Sequence, residues 1–154
     1  MNKYPQGVIG YLFGLGIHNM DYFISEFKLL ESSFNIDDFF NFCSKNIYFI
    51  EVGSGVLKWI LINYHPKITP LFFKRIFIDG SVHLFKILNE RYNLQDYQFT
   101  FFNSISNRKT IATKFDLYLE YNDLYQDIYD QIYKKAINRK WNFIIDVLDK
   151  HYKH

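Results

Sequence analysis

The sequence predicts an all-α fold, a helical-repeat solenoid of about five two-helix units. The first observation is a recurring aromatic corner at Phe34, Tyr64, Tyr92, Tyr121 and Tyr152, with intervals of 30, 28, 29 and 31 residues. The second is that each interval carries two apolar stripes at helical spacing, separated by a short polar turn. The third is that no segment alternates apolar and polar residues over the length of a strand.

Length and composition indicate one folded domain. Of the 154 residues 21% are aromatic, which supplies apolar area for a core, and only 22% are charged. This composition predicts a folded chain and not a disordered one. We expect a single repeat domain over 1–154, with units at about 7–35, 36–66, 67–95, 96–122 and 123–154. The formal net charge of +2 is too close to neutral to indicate nucleic-acid binding by bulk electrostatics.

Cysteine content and hydropathy bear on the compartment. Cys43 is the only cysteine, so an intrachain disulfide is impossible, and we expect a buried thiol in an intracellular protein. The longest apolar run, Val8 to Ile17, has 10 residues, whereas a membrane helix needs about 18 or more. We therefore expect a cytoplasmic protein that makes no membrane contact.

The first two units begin with polar residues that favour helix starts. Val8 to Ile17 predicts the first helix, and Asp21 precedes an amphipathic second helix. In the second unit Asp37 and Asp38 are expected to cap a helix over 39–49, where they also complement the helix dipole. Gly53-Ser54-Gly55 predicts a turn into a helix over 56–62.

The last three units repeat this arrangement. Unit three is predicted to contain a helix over 69–77 with Pro70 in its first turn, then a turn at Asp79-Gly80. Unit four is predicted to contain a helix over 99–106 and a turn at Asn107-Arg108, and unit five has a turn at Asn138-Arg139. The predicted second-helix stripes are Val82, Leu84, Phe85 and Leu88; Ile111, Phe115, Leu117 and Tyr118; and Trp141, Ile144, Ile145 and Leu148. The first helix of unit five has Ile128, Ile132, Tyr133 and Ala136.

The third unit resembles an ankyrin repeat. Ile68-Thr-Pro-Leu-Phe72, Asp79-Gly80 and His83-Leu-Phe-Lys-Ile-Leu88 are similar to the family's Thr-Pro-Leu-His opening, central turn and outer helix. The resemblance implies inner and outer helices in each unit and an adaptor that holds another protein on its concave face. The sequence departs from the family: Thr-Pro-Leu occurs in one unit only, about two residues too early relative to Asp79-Gly80, and aromatic residues replace the corner glycine. Loops between units, such as 92–96, are poor in the aspartate and glycine that shape the family's β-hairpin fingers, so we expect fingers that are short or absent. The Asn-, Ile-, Lys-, Tyr- and Phe-rich composition is similar to that of ankyrin-like proteins of amoebae and of their large DNA viruses, which would place a viral protein in the host cytoplasm.

Basic residues provide the candidate partner-binding positions. Lys74 and Lys134 are 60 residues apart, two repeat periods, and each has a basic neighbour. Such a stripe, with tyrosine and phenylalanine between, suits an acidic protein segment, and less well a nucleic-acid backbone; a solvated face without a partner is the other interpretation. The candidate positions are Lys74, Arg75, Asn103, Arg108, Lys109, Lys134, Lys135, Arg139 and Lys140.

No catalytic or metal-binding motif is recognised, and we expect neither an enzyme nor a cofactor. His151 and His154 are three residues apart and could hold a metal weakly, but we expect a solvated C-terminus in preference to a metal site. The alternative functions are nucleic-acid binding or another kind of helical-repeat protein. The uncharged N-terminal helix also suggests self-association through its outward side, at Tyr11 and Leu15.

Overall fold

A computed structural model describes residues 6–33, 35–43, 45, 50 and 54–152, and this part of the chain is helical with no strand. The all-α prediction is confirmed. In chain order the α-helices are α1 (Gln6–His18), α2 (Met20–Leu30), α3 (Ile36–Cys43), α4 (Ser54–Asn63), α5 (Pro70–Asp79), α6 (Val82–Arg91), α7 (Gln98–Phe101), α8 (Lys109–Tyr121), α9 (Gln126–Arg139) and α10 (Asn142–His151). Short 3₁₀ turns lie at Glu31–Ser33, Gln95–Tyr97 and Phe102–Ser104.

The aromatic corners coincide with helix ends. Tyr64, Tyr92 and Tyr152 follow α4, α6 and α10, and each donates its backbone N–H to the carbonyl four residues earlier. Tyr121 is the last residue of α8. Two described helices therefore lie between one corner and the next, as the repeat predicted. The corner Phe34, together with Gly53, the predicted helix residues 46–49, His154 and the Cys43 side chain, lies outside the described residues.

The chain divides into two compact units, Met1–Leu84 and Phe85–His154. In the first unit α1 packs against α2, α3 and α4, and α3 packs against α5. The close approach of α1 and α4 occurs at Gly16, where an added Cβ would lie 2.1 Å from a Val56 methyl. The buried aromatic residues are Phe23, Phe27, Phe39, Phe40, Phe72, Phe73 and Phe77.

The N-terminal helix has one buried and one exposed side. Leu12 and Gly16 are buried, whereas Tyr11 is 55% exposed and Leu15 is half-buried. The predicted self-association through Tyr11 and Leu15 stays a prediction.

In the second unit α10 packs against both α8 and α9. Its core includes most of the predicted stripe residues of α8 to α10: Ile111, Phe115, Leu117, Tyr118, Ile128, Ile132, Ala136, Ile144 and Leu148. Tyr133, Trp141 and Ile145, which were placed in the same stripes, are half-buried. Tyr118 is fully buried, and its hydroxyl donates to the Leu94 carbonyl at 2.7 Å.

Side-chain hydrogen bonds connect one loop to the next at the spacing of the repeat. Asp37 accepts the amide of Lys67 at 2.7 Å, 30 residues later. Gln95 pairs with the backbone of Asp123, 28 residues later, by donating to its carbonyl and accepting its amide. The Tyr152 hydroxyl accepts the Leu124 amide at 2.8 Å, again 28 residues apart. Backbone groups that lie outside the helices are satisfied here by side chains about 28 to 30 residues away along the chain.

Two expectations for helix starts are wrong. Asp37 and Asp38 lie in the first turn of α3, where they complement the helix dipole as predicted, but Asp37 does not cap the helix. Its carboxylate accepts the Lys67 amide, and Asn35 instead accepts the Asp37 amide at 2.7 Å. Ser54 is already the first residue of α4, so the predicted Gly-Ser-Gly turn does not extend through it. By contrast, Thr69 caps α5 by accepting the Phe72 amide, with Pro70 in the first turn as predicted.

Three expectations in the later units are also wrong. Val82, placed in the apolar stripe, is 37% exposed. The predicted helix over 99–106 is α-helical only as far as Phe101 and then becomes 3₁₀, in a segment whose serine and asparagine side chains compete for backbone groups. The predicted turn at Asn138-Arg139 lies inside α9, and the chain reverses at Lys140 instead.

Candidate functional site

A groove in the second unit is the candidate site. It has a cavity volume of about 320 Å³ and lies between α9 and the segment that follows α7. Its floor contains Ile105 and Ile132, both buried, with Phe102 and Trp141 as half-buried apolar walls. The remaining lining residues are polar or basic: Asn103, Gln131, Lys134, Lys135, Asn138 and Arg139. This combination of an apolar floor and a few polar groups is typical of a binding site, and the volume is at the small end of the range for ligand pockets.

The end of α9 determines where Trp141 lies. Lys140 has a left-handed backbone conformation with φ 56°. The Trp141 amide donates to the Ala136 carbonyl at 2.9 Å, and the Lys140 amide donates to Ile137 at 3.3 Å. These two bonds form a Schellman motif, which turns the following residue back against the helix. A lysine in this conformation costs about 1 kcal/mol or more, so the position of Trp141 is held against backbone strain.

Two cations lie over the Trp141 ring. The Lys135 Nζ atom is 5.9 Å from the ring centroid and the Arg139 Cζ atom is 5.7 Å from it. Both distances are within the range of a cation–π interaction, which restrains the two long side chains beside the groove. Lys135 and Arg139 are four residues apart on α9 and therefore project from the same helix face.

The groove is positively charged and its cations are available to a ligand. None of its ten lining residues is acidic. Within residues 6–33, 35–43, 45, 50 and 54–152, the ion pairs that form are both made by Asp116, so Lys134, Lys135 and Arg139 have no carboxylate partner among those residues. The negative end of the α9 dipole is equivalent to about half a charge, and three full positive charges outweigh it. The groove therefore favours an anionic ligand that also has an apolar part.

The structure brings together four of the nine predicted partner-binding residues. Asn103, Lys134, Lys135 and Arg139 line the groove. Lys140 is exposed at the adjoining turn, while Arg108 and Lys109 are exposed at the start of α8 and do not line the groove. Lys74 and Arg75 are half-buried on α5, in the first unit. Lys74 and Lys134 each lie five residues before the end of their helices. Their equivalence within a repeat stays a prediction.

Sequence reasoning missed the groove's other lining residues, including Trp141, which it assigned to an ordinary apolar stripe. One signal was present: Lys135 and Arg139 share a helix face, and an aromatic residue follows two positions after Arg139. Recognising the site also required the left-handed turn at Lys140, and lysine gives no local indication of that conformation.

His151 has a packing role. Its Nε2 atom lies 2.6 Å from Asp116 Oδ1, and Lys150 Nζ lies 3.0 Å from Oδ2 of the same carboxylate. Partial burial opposes ionisation of Asp116, but the hydrogen bonds from His151 and Lys150 prevail and lower its pKa below the ordinary value. These contacts join α10 to α8. No cluster of three or more metal-ligating side chains occurs among the described residues.

The described helices include none that is long and apolar enough to cross a bilayer. Comparison with known proteins gives no relative from which to transfer a function: no protein-family model, no curated protein and no solved structure matches the chain.

Proposed function

We propose that this chain is an ankyrin-like helical-repeat module that binds another protein, and that the groove between 102–105 and α9 is part of its binding surface. The observation that carries the proposal is the groove itself, in which unpaired cations and amides surround an apolar floor. Protein interfaces are built in this way, with an apolar centre and a polar rim.

The repeat interpretation has two supports. Helices of neighbouring units are in contact: α1 packs against both α3 and α4, α3 packs against α5, and α8 packs against α10. In addition, loop-to-loop hydrogen bonds recur at 28 and 30 residues. Contacts of this kind between sequence neighbours are those by which a solenoid would bury the apolar faces of its units.

The groove's location agrees with an adaptor role. One side comes from the first half of unit four, and the other comes from α9, the first helix of unit five, with Trp141 just after it. In the ankyrin family the first helix of a repeat is the inner one, so the resemblance puts the groove on the concave, partner-binding face. In the described part of the chain, the loops that follow Tyr64, Tyr92 and Tyr121 contain side-chain hydrogen bonds and no β-hairpin, which leaves the helices to supply the binding surface.

Nucleic-acid binding is less favoured by the groove's chemistry. Single-stranded nucleic acids are bound by cationic tracks with exposed aromatic rings on which bases stack. The stacked pair Phe99 and Tyr125 has a carboxylate beside it, because the Tyr125 hydroxyl donates to Asp96. The groove cations instead lie over Trp141 and beside an aliphatic floor. A phosphate backbone has no apolar group with which to fill that floor.

Site-specific photo-cross-linking in cell extract tests the proposed function. A photoreactive amino acid at position 103 should give a discrete cross-linked protein product, whereas the same group at position 86, an exposed site on α6, should not. The product should disappear in a Lys134→Gln, Arg139→Gln variant and persist in a Lys86→Gln, Arg91→Gln variant. Both variants lose two positive charges, so the comparison separates the groove from overall charge. Equal products from positions 103 and 86, or none from 103, would overturn the proposal.

A further inference from the structure

We infer that the groove recognises a short acidic peptide segment by one large apolar side chain, with carboxylates on either side of it in sequence. This inference rests on the proposed function, since it specifies the chemistry of the partner that the same groove would bind. Three features of the groove lead to it: the volume, the apolar floor and the cations without partners.

The volume and floor select an apolar anchor. About 320 Å³ corresponds to roughly ten water molecules at about 30 Å³ each, which suits a single large side chain better than a folded element. Ile105 and Ile132 are each only 3% exposed and offer no hydrogen-bonding side-chain atom at the floor. A polar group placed against them would lose its water without gaining a partner, whereas an apolar group gains by leaving water.

The rim selects carboxylates around that anchor. Lys134 is exposed, and Lys135 and Arg139 are restrained against Trp141, with no carboxylate of the described chain to be displaced first. Restraint lowers the entropy lost when a ligand binds, and the arginine fork matches a carboxylate in a bidentate geometry. Asn103, Gln131 and Asn138 add amide groups that can pair with an extended peptide backbone.

Neither part of the ligand is sufficient alone. Surface charge pairs contribute little individually in water, so an acidic peptide without an anchor should bind weakly and lose affinity with salt. An apolar side chain in a neutral or basic peptide should fit against the apolar floor. A neutral peptide would leave the groove cations without carboxylate partners, and a basic peptide would be repelled by them. The inference therefore requires the two features in one segment.

The test uses short synthetic peptides and the full chain labelled with 5-fluorotryptophan. One peptide contains glutamates around a central leucine, a second replaces the leucine with alanine, and a third replaces the glutamates with lysines. The chain has two tryptophans, and Trp59 lies in the first unit among Phe23, Phe27 and Tyr64. Its ¹⁹F resonance is thus an internal control for that of Trp141. Calorimetry supplies the affinities.

The leucine-centred acidic peptide should shift the Trp141 resonance, leave that of Trp59 in place, and bind at least about tenfold more tightly than the other two peptides. Lys134→Gln with Arg139→Gln should weaken this binding about tenfold, and Lys86→Gln with Arg91→Gln should not. Equal affinities of the leucine and alanine peptides would show that the groove does not recognise a large apolar side chain. If a single-stranded oligonucleotide of equal charge binds more tightly than the leucine-centred acidic peptide, the inference that the ligand is a peptide is wrong.

The experiment separates this inference from the proposed function. If none of the peptides binds while cross-linking from position 103 still captures a protein, the acidic-anchor chemistry is wrong and the interaction module stands. If cross-linking fails as well, both are wrong.

Discussion

Gly14 and Gly16 offer a matched test of how closely α1 packs on α4. The two glycines lie two residues apart in α1. A Cβ added at Gly16 would lie 2.1 Å from Val56 Cγ2 and 3.3 Å from Phe23 Cγ, whereas one added at Gly14 meets nothing within 4 Å. Changing each glycine to alanine therefore adds the same methyl group twice, into open space at Gly14 and into a tight contact at Gly16.

The expected magnitudes follow from two opposing contributions. Alanine in a helix interior is favoured over glycine by about 0.5–1 kcal/mol, and both variants gain this amount. Only Gly16→Ala also overpacks the interface, at a cost of about 1–3 kcal/mol. Val56 is 1% exposed and β-branched, with one strongly preferred rotamer in a helix, so its methyl cannot turn aside easily. We expect Gly14→Ala to be more stable than Gly16→Ala by about 1–3 kcal/mol.

Urea unfolding followed by circular dichroism at 222 nm measures the difference. Because both variants gain the same helix propensity, subtracting their free energies of unfolding leaves the steric contribution. In a Val56→Ala background the penalty for Gly16→Ala should decrease, since the clashing methyl is gone. Equal stabilities for the two alanine variants would show that α1 does not approach α4 as closely as described, and an unchanged penalty in the Val56→Ala background would exclude Val56 as the obstacle.

Three further predictions concern buried contacts and pH. Tyr118→Phe should cost about 1 kcal/mol, because it removes the buried hydrogen bond from the hydroxyl to the Leu94 carbonyl, which keeps the Tyr97 amide as a donor. Tyr121→Phe, at a 47% exposed position on the same helix, should cost less than about 0.5 kcal/mol. Similar losses for both variants would refute this role of the Tyr118 hydroxyl. Leu88→Ala, at a fully buried position, should cost about 2–5 kcal/mol in urea unfolding, and a surface-like value would contradict its burial. Burial, with the Glu31 hydrogen bond, raises the pKa of Tyr64 from 10.0 to about 12, so its contribution to stability should be complete below pH 10 and be lost as the pH rises through 12. Tyr64→Phe should flatten the stability profile in that window, and an unchanged profile would count against the shift.

The features that the sequence predicted well are those set by local spacing and apolar burial. The stripes that contain Phe115 and Ile144 follow helical periodicity, so the sequence alone identifies which face is buried. Thr69 and Pro70 specify a helix start locally, the threonine through its side-chain oxygen and the proline through its fixed backbone angle. These features do not depend on distant parts of the chain.

The features that the sequence did not predict depend on partners far along the chain. Aspartate is a residue type that often caps helices, but the Asp37 carboxylate accepts the Lys67 amide, 30 residues away. No local rule distinguishes the two uses of an aspartate. The basic residues posed the same problem, since spacing gave equivalent positions to Lys74 and Lys134 without indicating which of them borders a groove.

The groove lies where the chain departs from its own repeat. A regular first helix in unit four was predicted over 99–106, but α7 ends at Phe101, and Phe102 and Asn103 continue in a 3₁₀ turn. In unit three the corresponding helix, α5, runs for ten residues. The second departure is the left-handed Lys140 in unit five. One irregularity supplies a groove wall and the other positions Trp141. Conflicts with a local pattern are expected at functional sites, because a surface selected for binding need not satisfy the pattern that the core requires. That two such departures border one cationic groove is a stronger argument for a binding site there than the basic residues provide alone.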